Sequence, residues 1–191
     1  MRPQVDFSEK AMSVSAVLPV DDAALVARAC NGDERAFSAL YRRHARYVAG
    51  VLYRLLRRDA ELDDVLQQTF ADAYVGVRSL REPGDFRAWV ARIAVRRASD
   101  CLASRRRRRL LARAVAPVMP TVSDPEDRRD VETLYRVLDG LTPRLSVPWV
   151  LSAIQGETSE QVARLCDISL STAKRRIARA AELIERRLHA G

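Results

Sequence analysis

Apolar residues recur every three or four positions through most of this chain, the repeat of helices that bury one face. A short first helix is predicted from Asp21 to Cys30, stopping at Asn31-Gly32, a pair suited to ending a helix. The next carries Phe37, Leu40, Tyr41, His44, Val48, Val51, Leu52 and Leu55 on one stripe. A third repeats the pattern with Leu62, Val65, Leu66, Thr69, Phe70, Ala73, Tyr74, Val77 and Leu80. Pro83-Gly84 then forces a loop. A fourth helix presents Phe86, Trp89, Val90, Ile93, Ala94 and Cys101 before running into the arginines at 105–109.

From Leu110 to Asp127 the period falters through Pro117, Pro120 and Pro125. Proline removes donors and fixes φ, so this stretch reads as a linker. A second helical unit follows with Val131, Leu134, Tyr135, Leu138 and Leu141, and Thr142-Pro143 opens a further helix. Pro148 falls inside that helix but within its tolerant first turns, and Gly156 closes it. No stretch alternates as a strand does, and no segment repeats. The fold class expected is all-α: two small helical domains joined by a flexible linker. The divisions are a tail over 1–20, a first domain over 21–109, a linker over 110–125 and a second domain over 126–191.

The last 30 residues or so of the second unit carry the clearest chemical signal. Thr158 and Gln161 have capping-box spacing. Ala163 is small where two helices would cross, and Asp167 stands where the intervening turn often needs positive φ. Ser169 or Ser171 can cap the following helix. At about 100° per residue, Leu170, Ala173, Ile177, Ala180, Ala181, Ile184 and Leu188 form its apolar face. Ser171, Thr172, Arg175 and Arg179 lie nearly opposite, with Lys174, Arg176 and Ala178 on the flanks. A buried stripe with short polar groups and cations opposite is what a recognition helix needs to enter a DNA major groove. The competing reading is an amphipathic helix with a solvated basic face.

Composition agrees with a polyanionic partner. The formal charge is +8 and the sequence pI about 10.1, which fits nucleic acid, with anionic membrane as the alternative. Only Lys10 and Lys174 are lysines, and arginine dominance suits phosphates and guanine edges. Apolar residues make up 48% of the chain, enough for buried cores. Cys30, Cys101 and Cys166 are isolated and only His44 and His189 could join them, so no metal site is expected. Asp6, Glu9 and Lys10 interrupt any signal-peptide pattern, and no apolar run is long enough to insert in a membrane. A cytoplasmic location follows as the expectation. No nucleotide-binding glycine loop, metal constellation or nucleophile–histidine pair is present, so neither catalysis nor a cofactor is predicted.

Four motifs together resemble one family. They are Gly32-Asp33-Glu34-Arg35-Ala36-Phe37 with Leu40-Tyr41, and Asp63-Asp64-Val65-Leu66-Gln67-Gln68-Thr69-Phe70 with Ala73-Tyr74. Phe86-Arg87-Ala88-Trp89-Val90-Ala91-Arg92-Ile93-Ala94 follows, and the stretch from Ser169 to Arg179 completes the set. The chain resembles the extracytoplasmic-function sigma factors of bacterial RNA polymerase, which carry sigma regions two and four only. The likeness covers about residues 21–188, in order in both units.

The resemblance implies a transcription initiation factor that binds core RNA polymerase and directs it to promoters. Its implied partners are the β′ clamp helices and β flap of the polymerase, double-stranded promoter DNA, the unpaired −10 non-template strand, and an anti-sigma factor. Asp64, Gln67 and Gln68 would face the clamp helices, where a carboxylate paired with an arginine favours specificity and rate. The −10 element falls to the Pro83-Gly84 loop and the helix after it, with Arg81, Phe86, Arg87, Trp89, Arg92, Arg96 and Arg97 supplying cations and rings for unpaired bases. Phe86 and Trp89 also have the spacing of core anchors. The −35 element falls to Ser171, Thr172, Lys174, Arg175, Arg176 and Arg179. The chain departs from the family at Val95, Arg96, Asp167 and Ala173, where Arg, Asn, Gly and Val are usual. Arg105–Arg109 reads as a solvated helix end that can also touch nucleic acid.

Two other functions fit parts of the pattern. A stand-alone helix-turn-helix regulator with an N-terminal sensor or dimerisation bundle would bind a palindromic site by itself. An adaptor would keep the polymerase-binding face without promoter selectivity.

Overall fold

The computed structural model describes residues 21–57, 61–80, 82–115 and 126–189. Eight α-helices account for nearly all of them: α1 (Asp22–Cys30), α2 (Glu34–Leu56), α3 (Leu62–Gly76), α4 (Phe86–Val115), α5 (Glu126–Asp139), α6 (Pro143–Ala153), α7 (Ser159–Cys166) and α8 (Leu170–His189). Short 3-10 turns at Val77–Ser79 and Pro83–Asp85 connect α3 to α4. The predicted tail over 1–20 and Arg81 lie outside the described residues.

The first four helices form one bundle. Asp33 starts α2 by accepting the backbone N–H groups of Arg35 and Ala36 at 3.0 and 3.1 Å, satisfying two of the donors that a helix start leaves open. Arg28 clamps the same carboxylate at 2.7 Å, so cap and cation together hold the Asp33 carboxyl below its usual range, Arg28 contributing most. The reversal before it needs positive φ, and Gly32 supplies it at +88°. Leu40, Val48 and Leu52 of α2 then meet Phe70 and Ala73 of α3 and Phe86, Val90 and Ala94 of α4, all buried. Gly76 ends α3 where a Cβ would stand 3.4 Å from the Trp89 ring. Two buried polar groups are satisfied within the bundle: Thr69 donates to Val65 O at 2.7 Å, and His44 pairs with Asp22 at 2.8 Å.

α4 continues past Arg109 to Val115, six residues beyond the boundary predicted for the first domain. Nothing in the run of Arg, Leu and Ala breaks a helix before Pro117, and these residues have high helix propensity. Residues 116–125, most of the predicted linker, lie outside the described residues.

In the second unit, α6, α7 and α8 bury Val150, Leu151, Val162, Leu165, Ala173, Ala180 and Ile184. Pro148 lies inside α6, five residues after the opening Pro143, so it removes one helical donor, and its buried ring packs in the core. The two units pack on each other. α4 lies against α6 and α7, and α2 against α6. Arg57 sits 4.5 Å over the Tyr135 ring, whose hydroxyl donates to Arg54 O at 3.3 Å. Arg109 pairs with Asp139 at 2.8 Å. Leu55, Leu56, Leu138, Leu141 and Val147 are buried around this junction.

Candidate nucleic-acid interface

The helix-turn-helix forms as its local chemistry requires. Thr158 accepts from Gln161 N at 3.3 Å, and the Gln161 side chain accepts from Thr158 N at 2.7 Å, closing a reciprocal capping box. Asp167 ends α7 in the left-handed region at φ 53°, ψ 51°. Asp is among the few residues besides glycine that enter this region readily. Ile168 N donates to Ala163 O at 3.0 Å, so the chain turns directly back toward Ala163, which is buried at the crossing. Ser169, one of two candidate caps, accepts from Thr172 N at 3.3 Å.

The middle of α8 divides into faces as its sequence predicts. Ala173, Ala180 and Ile184 are buried and Ile177 and Ala181 half-buried, whereas Ser171, Lys174, Arg175 and Arg179 are exposed. Leu170 and Leu188, expected on the buried face, are exposed at the two ends of the helix. Thr172 and Arg176 are half-buried at the edges. Arg179 pairs with Glu182 at 2.8 Å, both exposed, a bond weak enough to exchange for one to DNA. The thiol of Cys166, at the end of α7, is pushed up to about 11 by burial, which makes it an unreactive packing group.

The predicted −10 residues fall into distinct environments. Arg87, Arg92 and Arg96 are exposed on α4. Arg87 stacks 4.0 Å over the Tyr47 ring, an arrangement that fixes its planar head. Arg97 is held by Asp72 through two bonds of 2.5 and 2.6 Å, and the pair drives the Asp72 carboxyl below its usual range. Trp89 is half-buried beside Gly76 and Phe86. Phe86 requires a correction: it is fully buried, packed edge-on to Phe37 and close to His44 and Trp89. With no free face, its ring supports the surface from beneath and cannot stack on a base.

Asp64, Gln67 and Gln68 are all exposed on α3, while Thr69, Phe70 and Ala73 face the bundle. This leaves a polar strip open to a partner. Val75, 81% exposed, extends the strip by an apolar residue that sequence periodicity did not single out.

Glu61 was also missed. It accepts from Cys101 Sγ at 2.7 Å, Arg108 at 2.9 Å and Arg105 at 3.1 Å, so part of the arginine run is an internal tie between α4 and the start of α3. These bonds, the thiol's first, lower the Glu61 carboxyl to about 2. Nothing in the spacing of Glu61 relative to α4 signals a contact across 40 residues. Among the described residues no cluster of His, Cys, Asp and Glu could hold a metal, and no helix is long and apolar enough to cross a membrane.

The described residues thus present three distinct surfaces: an open polar strip on α3, an arginine-bearing face on α4 beside a loop, and a helix-turn-helix. Known proteins share this organisation. The family description "Sigma-70 region 2" matches residues 40–109, and "Sigma-70, region 4" matches residues 132–184. The ECF RNA polymerase sigma-E factor of Haemophilus influenzae is 32% identical over 180 residues, covering 87% of this chain and 95% of that protein. Its counterpart from Escherichia coli K12 is 29% identical, covering 87% and 94%. Among solved structures, CnrH in complex with the cytosolic domain of CnrY aligns with a TM-score of 0.61 and 25% identity, over 88% of this chain and 97% of that one. The sigma factor RpoE of Bartonella quintana, in complex with the anti-sigma factor NepR, aligns with a TM-score of 0.57 and 18% identity over 80% and 96%. The chain belongs to the ECF RNA polymerase sigma factors, with regions two and four.

Proposed function

We propose that this sigma factor docks on core polymerase through Asp64, Gln67 and Gln68, reads the −10 element with α4 and reads the −35 element with α8. The observation that carries the −35 assignment is the capped turn at Asp167, which presents the N-terminal half of α8 with Lys174, Arg175 and Arg179 exposed. Inserted in a major groove, that end brings Ser171 and Thr172 to phosphates and the arginines to base edges. On α4, Arg87, Arg92 and Arg96 attract the backbone of the unpaired strand, with Trp89 the one ring of the set retaining exposed surface. Phe86 holds that surface rigid. Capture of unpaired bases favours the melted promoter, and RNA synthesis itself belongs to the polymerase.

The two reading surfaces must separate to do this. The −35 and −10 elements are about 25 base pairs apart, roughly 85 Å at 3.4 Å per pair. A compact chain of this length has a radius of gyration of only about 16 Å. The packing of α4 on α6 and α7 therefore belongs to the free protein, and binding to polymerase pulls it apart. An anti-sigma factor that clasps the packed form is the expected cytoplasmic partner, a proposal suggested by the solved complex of RpoE with NepR.

A forked promoter fragment with an unpaired −10 strand tests the scheme. Core polymerase plus this chain should retain the fragment, and neither alone should. Retention by the chain alone as a dimer on a palindrome would favour the stand-alone regulator instead.

A further inference from the structure

A cleft of about 1060 Å³ separates α4 from the second unit. Arg92, Arg96, Arg106 and Arg107 line one wall, and Arg144 and Arg176 the other. The α4 arginines recur along one helix face, spanning roughly 20 Å at 1.5 Å per residue. Only two carboxylates, Asp100 and Asp167, share the lining. Neighbouring arginines of α4 are matched to acids instead: Arg97 to Asp72, Arg105 and Arg108 to Glu61, and Arg109 to Asp139. The six in the cleft make no ion pair among the described residues. Cations from two separate units thus face each other with a net excess of positive charge.

Such a cleft suits an anion, and its remaining lining says which kind. One small anion neutralises one or two guanidinium groups, whereas this row calls for several negative charges in series. Single-stranded nucleic acid would bring that charge but also bases that need aromatic surfaces. The cleft has no Phe, Tyr, Trp or His in its lining; Val95, Ala103, Val147, Pro148 and Leu165 form its floor. A duplex long enough to follow α4 exceeds the volume. We propose that the cleft binds a chain of linked phosphates, inorganic or carried on a nucleoside, that bridges its two walls and holds the units together.

A ligand that binds only the packed form shifts the equilibrium toward it by mass action. At 100 times its Kd the separated fraction falls about 100-fold. Occupancy would therefore withhold the factor from promoters, a consequence that rests on the promoter-reading function proposed above. The binding itself does not.

Calorimetry on the full chain at physiological salt isolates the binding. The probes are inorganic polyphosphate of about fifteen units, adenosine tetraphosphate, orthophosphate and a thymidine hexanucleotide. Saturable binding of the polyphosphate or the tetraphosphate is expected, and the tighter of the two identifies the source. Arg144→Ala, on the wall opposite α4 and outside the DNA-reading set, should weaken it about tenfold, as loss of a charge-assisted bond does. X-ray scattering should show the liganded chain compact. The proposal is overturned if Arg144→Ala binds the linked phosphates unchanged, since the site would not bridge the walls. It is equally overturned if orthophosphate or the hexanucleotide binds as tightly. Because neither polymerase nor promoter is present, a negative result counts against the cleft and leaves the sigma function untouched.

Discussion

Replacing Glu61 by glutamine should destabilise the first bundle at neutral pH and matter progressively less in acid. The carboxylate accepts bonds from Cys101, Arg108 and Arg105 and is lowered from 4.5 to about 2. Converted at 1.36 kcal/mol per pKa unit, that shift alone corresponds to about 3.4 kcal/mol. The Glu61 side chain is 36% exposed, and solvent screening reduces the figure to about 1–2 kcal/mol. For a chain of this size the loss lowers Tm by roughly 2–8 °C. The sign follows from linkage. A carboxyl depressed by folding contributes fully above its unfolded value near 4.5 and loses that contribution as pH falls toward 2. At pH 3 less than half should remain, so the gap between wild type and Glu61→Gln narrows accordingly. Calorimetric or circular-dichroism melts of both proteins between pH 7 and pH 3 measure it. A gap that is absent at pH 7, or that stays constant down to pH 3, would refute the assignment of Glu61 as the acceptor that ties the start of α3 to the C-terminal half of α4.

Other substitutions separate the surfaces. Asp64→Ala should weaken core binding about tenfold by loss of one interfacial charge pair, measured by fluorescence anisotropy against polymerase, without changing Tm. Arg179→Ala should leave core binding intact and reduce transcription from a −35-dependent promoter by roughly 5- to 150-fold, the range of one base contact of about 1–3 kcal/mol. Asp167→Val should cost about 1–2 kcal/mol, because a β-branched residue is forced into the left-handed region at φ 53°, and chemical denaturation reads it directly.

Periodicity alone placed the helices because each buries one continuous stripe, and the helix-turn-helix was legible down to its capping box and its positive φ at Asp167. These are local features, written within a few residues of one another. What escaped depended on contacts across the chain. The spacing of Phe86 favours a core anchor while the family resemblance offers a base-stacking ring, and only the enclosure by Phe37 and His44 decides for the core. The arginine run at 105–109 reads as a solvated end, yet Glu61 and Asp139 pair with three of its members, of which Arg105 is largely buried while Arg108 and Arg109 stay exposed. The prolines from Pro117 onward predict a linker from Leu110, yet α4 runs to Val115 because no residue before Pro117 breaks a helix. The docking role proposed for the exposed face of α3 rests on the family resemblance, because helical periodicity does not distinguish such a strip from solvated surface.

Promoter-specific transcription in vitro tests the central claim most directly. Core polymerase, genomic fragments and this chain should give discrete transcripts, each preceded by a shared pair of −35 and −10 elements and absent when either the chain or the core is omitted. Transcripts independent of the chain, or a chain that binds DNA as a dimer and never associates with core, would contradict the account.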